Sequence, residues 1–173
     1  MSSVLSTEIM AGAQGSVWIR TASARDVAGL GEYFRTLSQT ARHDRFMGTA
    51  NNLAKIACDC LMHGCRADRF TLVTELRTQG RDAIIAEASY AFDREQQRGE
   101  FAISVADRWQ RQGFGAALLS ALQLRAASLG HFRLFGETLK TNEAMQGLAR
   151  RAGFAFSRSP DWRPVRFDKM LAG

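Results

Sequence analysis

Apolar and polar positions recur with two different periods along this chain, and the switches between them mark out its elements. In SVWIRTA, Val17 and Ile19 alternate with Trp18 and Arg20, the two-residue period of a strand with one buried face. Ser23-Ala-Arg-Asp26 then resembles a helix start, with the serine oxygen available to free backbone N–H groups. Val27, Leu30, Tyr33, Phe34 and Leu37 follow at helical spacing. LSQTARHDRF predicts a short second helix, and Asn51 to about Gly64 a third.

The period then changes. FTLVTEL, AIIAEASYAF and EFAISVA are three β-prone runs joined by RTQGRD and DREQQRG, links short enough for hairpins, so an antiparallel meander is expected. A helix carrying Leu118, Leu119, Leu122 and Ala126 runs to about Leu129, and HFRLFGETL reads as a strand. A short helix from about Asn142 to Ala152 is closed by Gly153. GFAFSRS and RPVRFDKML supply two last strands, with Pro160 and Pro164 confined to a loop and a strand edge. The fold class is α/β, a mixed architecture in one domain over residues 16–173. Residues 1–15, small and polar without a period, read as a flexible N-terminal tail.

Composition narrows the functional classes. Hydrophobic residues at 46% and charged residues at 23% are globular values and exclude a disordered or fibrous chain. No apolar run reaches the roughly 18 residues of a spanning helix, and no basic start precedes an apolar block, so a cytoplasmic protein with no membrane partner is expected. The net charge of +6 favours anionic partners and comes nearly all from arginine, Lys55, Lys140 and Lys169 being the only lysines. Those arginines are scattered and not interleaved with aromatics, which argues against a nucleic-acid surface. Cys58, Cys60 and Cys65 surround His63 in CDCLMHGC, the one place that invites a metal. On a helix Cys58 and Cys65 share a stripe that Cys60 and His63 do not, so the four cannot converge and no metal is expected.

The candidate chemistry lies in WQRQGFGAALL, where a glycine pair stands between a predicted strand and a predicted helix. A Walker loop needs Gly-Lys followed by Ser or Thr, which is absent. A dinucleotide fingerprint needs a third glycine where Leu118 stands, and a parallel βαβ setting. A third pattern asks for Gln or Arg, two residues, Gly, one residue, then Gly or Ala. Gln110-Arg111-Gln112-Gly113-Phe114-Gly115 fits it at every specified position. Its physics is a close backbone approach, inward N–H groups and the positive end of a helix dipole facing a pyrophosphate. Taken alone, the pair is equally a turn that needs positive φ.

With its context the chain resembles the GNAT family of N-acetyltransferases, from Val17 to about Leu171. EFAISVADRWQRQGFGAALL looks like that family's fourth strand, pyrophosphate loop and third major helix, and LFGETLKTNEAMQGLARRAGF like its fifth strand and the short helix ending in Gly-Phe. VxIRxAxxxD, LSxxxRxxRF, GExL and NxxM are most similar to the GNAT domains of bacterial protein lysine acetyltransferases. The resemblance implies a mixed, mostly antiparallel sheet of about six to seven strands flanked by helices, with a V-shaped split between the fourth and fifth strands, counted from Val17, that admits acetyl-CoA. Ile103, Ser104 and Val105 would bond the pantetheine arm through their backbone. The N–H groups of Gln112, Gly113, Phe114, Gly115 and Ala116 would hold the pyrophosphate, with Gln110 and Arg111 nearby.

Some assignments stay open between two readings. Arg111 is either a phosphate partner or a solvated arginine. Asn142 is a cofactor contact, a helix N-cap, or both. Glu100 matches the family's general base, or is an exposed strand residue beside Arg98; Glu137 is the second catalytic candidate. Ala149 stands where many members carry a tyrosine, which leaves the general acid unassigned. The implied function is acetyl transfer from acetyl-CoA to a primary amine, either a protein lysine or a small molecule. The alternative is a non-catalytic acyl-CoA-binding regulatory module of the same fold. A homodimer is compatible with either.

Overall fold

The computed structural model describes residues 6–12, 15–48, 50–62, 68–157 and 164–172. Its strands are β1 (Ser6–Gly12), β2 (Gly15–Thr21), β3 (Arg69–Arg77), β4 (Ala83–Asp93), β5 (Arg98–Val105), β6 (Arg133–Leu139), β7 (Ala155–Ser157) and β8 (Pro164–Met170). Its helices are α1 (Val27–Thr36), α2 (Gln39–Phe46), α3 (Leu53–Met62), α4 (Phe114–Ser128) and α5 (Glu143–Arg151). All the strands share one sheet, in the order β1-β2-β3-β4-β5-β6-β8-β7. Neighbours are antiparallel except β5 and β6.

This mixed α/β architecture matches the expected class, with eight strands in place of six or seven. The additional strand is β1, inside the stretch expected to be a tail. STEIMAG has no alternation to announce it; it is recruited by antiparallel pairing with β2, from Ser6↔Arg20 to Gly12↔Gly15, and by Ile9 packing on the core. Residues 1–5 and 13–14 of that stretch lie outside the described residues, as do His63, Cys65 and Pro160.

The sheet is covered on both faces. On one side α4 buries Leu118, Leu119, Leu122 and Ala126, and α5 buries Ala149, against a core that includes Phe101, Leu134, Phe154 and Phe167. On the other, α1 buries Leu30, Tyr33 and Phe34, joined by Leu37 and by Ala57 and Leu61 of α3. At the start of α1, the Asp26 carboxylate accepts from the Ser23 N–H at 2.8 Å and from its hydroxyl at 3.1 Å. Cys58 and Cys60 are half-buried free thiols of α3, and burial pushes the Cys60 thiol up to about 11. Among the described residues no cluster of three His, Cys, Asp or Glu side chains is placed to hold a metal ion. No described helix is long and apolar enough to cross a membrane.

The pairing of β5 with β6 positions the site. It consists of Gly99↔Leu134 and Glu100↔Phe135 alone, whereas β5 stays paired with β4 all the way to Val105. Beyond Glu100 the two parallel strands part, and among the described residues the β6-facing edge of β5 from Phe101 to Val105 has no strand beside it.

Candidate active site

Beside the end of β5 that β6 leaves unpaired lies a cleft of about 610 Å³. Ile103, Ser104 and Val105 line one wall, the Gln110–Ala116 loop lies at the mouth, and Asn142 to Arg151 of α5 face them, with Ala41, Asp44 and Arg45 of α2 above. The loop is sharply turned. Arg111 adopts φ 61 and Gly113 φ 90, so the chain turns through left-handed backbone twice before α4 begins at Phe114. Gly113 is the N-cap residue of α4, where the free N–H groups of a 15-residue helix collect. A Cβ at Gly113 would meet nothing within 4 Å, so its conformation, not space, requires glycine there.

The structure separates the expected site residues into groups. Ile103, Ser104, Val105, Gln110, Arg111, Gly113, Gly115, Ala116 and Asn142 all line the cleft. Gln110 donates from its side chain to the Val105 carbonyl at 3.1 Å, closing the turn beneath the loop. Asn142 caps α5, its Oδ1 accepting from the Met145 N–H at 2.9 Å, while also facing the cleft. Two loop side chains do not line it: Phe114 is buried under the loop with Val17 and Ile85, edge-on to Trp109, and Gln112 donates to the Arg108 carbonyl. What these two bring to the mouth is backbone.

The two carboxylates diverge. Glu137 is held in a cross-strand ion pair with Arg166 of β8 and borders neither the cleft nor the hollow beside it. Glu100 lies outside the cleft at the point where β5 and β6 meet, exposed, in an adjoining hollow of about 390 Å³ on the α3 side of the sheet. Neither tyrosine offers a hydroxyl to the cleft. Tyr33 is buried against Ser104, and Tyr90 bonds His131 Nδ1 at 3.0 Å. Ala149 is fully buried.

Sequence reasoning missed the group that joins the two cavities. Arg45 borders both, and its guanidinium bonds the fully buried Glu87 from Nε at 2.5 Å and from Nη2 at 3.2 Å, with a further bond from Nη2 to Ser89 at 2.9 Å. Ser104 donates to Glu87 at 2.7 Å, which leaves Tyr33 as the donor to Ser104 at 2.9 Å. Burial lowers the affinity of Arg45 for its proton, but Glu87 more than reverses this and keeps it charged. Burial, with the Glu87 charge, pushes the Tyr33 hydroxyl well above its usual range. The only local signal was LSxxxRxxRF, whose last arginine is Arg45; Glu87, inside an apolar strand run, carried none. Arg151 at the cleft wall and Asp44, whose carboxyl burial raises, were also missed.

A sheet split beside a glycine loop that opens a helix is the architecture that the resemblance to an acetyltransferase family implies. The model of the acetyltransferase (GNAT) family matches residues 38–154, and the chain belongs to that family: it is an N-acetyltransferase. It is 27% identical over 130 residues to an acetyltransferase of Pseudomonas aeruginosa, covering 75% of this chain and 70% of that one. The GNAT domain of S. lividans PAT superposes with a TM-score of 0.82 at 22% identity, over 96% of this chain and 97% of that one. The yncA protein of Salmonella typhimurium, solved with acetyl-CoA, gives 0.70 at 19% identity, over 90% and 94%.

Proposed function

We propose that the β5–β6 cleft takes acetyl-CoA and that Glu100 receives the proton of a primary amine entering from the adjoining hollow. The observation that carries this reading is the pairing that stops at Glu100↔Phe135. It leaves an unpaired β5 edge for an extended acyl-pantetheine arm, with Gly113 and the start of α4 at its outer end for a pyrophosphate. The residues present fit such a group: Ile103 and Val105 offer backbone, Arg111 and Arg151 offer cations, and Asn142 keeps its amide nitrogen without a partner among the described residues. Acetyl-CoA supplies the activated acetyl group; the chain's own part is to place an amine and remove its proton.

That proton is the chemical difficulty. An amine of pKa near 10.4 is neutral in only about one part in a few thousand at pH 7. Glu100 makes no ion pair among the described residues and borders the hollow that adjoins the cleft, at the point where β5 and β6 part, within reach of an amine held there. Backbone N–H groups on the unpaired β5 edge are suited to stabilise charge on the acetyl oxygen. The thiolate is left to water.

Calorimetry with the purified chain should give acetyl-CoA binding in the micromolar range, on the order of −8 kcal/mol. Glu100→Gln should keep that affinity and lose about 10²- to 10⁴-fold in kcat. Parental turnover in the variant would remove the base assignment. The rival reading, a non-catalytic acyl-CoA-binding module, draws on Glu100 lying outside the cleft; binding without CoA release for any amine would establish it.

A further inference from the structure

The hollow beside the cleft has a floor and walls that the acetyl-donor site does not use. Strand register places Arg69 of β3, Ala91 of β4 and Glu100 of β5 in one row across the sheet, since Arg69 pairs with Ala91 and Ala91 with Glu100. Residues paired in this way project to the same face, so an arginine and a glutamate stand two strands apart, about 10 Å between their backbones, with only a methyl group between them. The next row, Thr71, Ser89 and Ala102, is also small and continues the floor. One row further on, Arg45 closes the end over Glu87.

Arg69 and Glu100 are both exposed, and neither has a side-chain hydrogen bond or ion pair among the described residues. They face one another as a separated cation and anion. The Arg45 guanidinium at the far end is already neutralised by Glu87, which leaves Arg69 as the cation available to a ligand, and Asp59 of α3 also borders the hollow. At about 390 Å³ the space is of small-molecule size.

We infer that this hollow takes the acyl acceptor, and that the acceptor is a small amine carrying a carboxylate, an amino-acid-like molecule whose amine lies toward Glu100 and whose carboxylate lies toward Arg69. The inference rests on the acetyltransferase reading and adds the acceptor class to it. A molecule resting on Ala91 meets opposite charges at its two ends. A diamine would set one ammonium beside Arg69, and a peptide lysine would leave that guanidinium without an anion. The chemistry balances without a further reactant: the ammonium gives one proton to Glu100, the freed nitrogen bonds to the acetyl carbon, the carbon–sulfur bond breaks, and the second nitrogen proton passes through water to the departing thiolate, which leaves as CoA thiol.

The test uses the full chain and acetyl-CoA with single amino acids, their carboxamides, putrescine and a lysine peptide capped at both ends, following thiol release and product mass. An amino acid should exceed its own amide by about tenfold or more in kcat/KM, the worth of one charge-assisted bond. Arg69→Gln should raise KM for the amino acid and bring that ratio close to one, while thermal unfolding verifies that the variant is folded. Equal or better turnover of amide, putrescine or capped peptide overturns the inference, as does an unchanged ratio in Arg69→Gln. Acetyl-CoA binding with no amino acid acetylated also overturns it, leaving the donor site intact. Failure to bind acetyl-CoA instead removes the acetyltransferase reading beneath it.

Discussion

Arg45 is a buried guanidinium that borders both the cleft and the hollow. Its partner Glu87 has no exposed side-chain surface, so removing the guanidinium strands a charge in the core. Arg45→Met should therefore cost about 3–5 kcal/mol in urea unfolding, and an Arg45→Met, Glu87→Leu double variant should recover much of that loss. Additive losses in the double variant would mean that the two residues act separately. This pair was invisible in the sequence because its members are 42 positions apart and Glu87 stands in a run whose apolar neighbours say only "strand". Gly113 was legible for the opposite reason: its positive φ is a local requirement, written into the residue itself.

Among the elements, α2 and β5 decide the shape of the cleft. The N-cap of α2 is tied to the turn after β5: Ser38 accepts from the Ala41 N–H at 3.1 Å, and its hydroxyl and backbone N–H donate to Asp107 at 2.7 and 3.0 Å. Ser38→Ala should lower stability by about 1 kcal/mol and, by loosening the α2 wall, weaken acetyl-CoA binding by roughly the fivefold that this energy represents. Calorimetry beside chemical unfolding reads both. In β5, Gly99 makes the first of the two pairings with β6, and a Cβ there would overlap the Tyr90 ring. That ring cannot retreat, being stacked on Phe70 at 4.5 Å and bonded to His131. Gly99→Ala should cost about 1–3 kcal/mol by overpacking, and an unaltered unfolding midpoint would contradict the fit. The meander, α1, α4 and the capped α5 were all readable from period and punctuation. β1 was not, because an edge strand that pairs on one side needs little alternation.

For the molecule as a whole, acid sensitivity follows from a buried cluster linking β2, β3 and the turn before α1. Arg20 bonds Asp26 at 2.8 and 2.9 Å and Glu75 at 2.7 Å. Burial alone would raise the Asp26 carboxyl, but its bonds to Arg20 and Ser23 hold it below its usual value; Glu75 is lowered chiefly by Arg20 and further by Arg77. Both carboxyls ionise more readily folded than unfolded, so their stabilisation is complete above the unfolded values of about 3.9 and 4.3. It is lost as pH falls through the lower folded values. Thermal unfolding from pH 7 to pH 2.5 should show the midpoint dropping below about pH 4. Arg20→Met should start lower and decline less, and parallel curves for the two proteins would refute the linkage.

The sequence by itself determined whatever depends on neighbours within a turn or two. The two periods, the α/β class, the glycine-bearing mouth of the cleft and the Asn142 cap are all of this kind, because steric and hydrogen-bonding demands there act over a few residues. It also carried, through family resemblance, the GNAT membership that the family model shows. Only the tertiary structure decided how far β5 and β6 pair, that Glu137 is occupied by Arg166, and that Arg69, Ala91 and Glu100 form one row. Those facts depend on strand register, which side chains distant in the chain settle by packing together, and no local pattern encodes it.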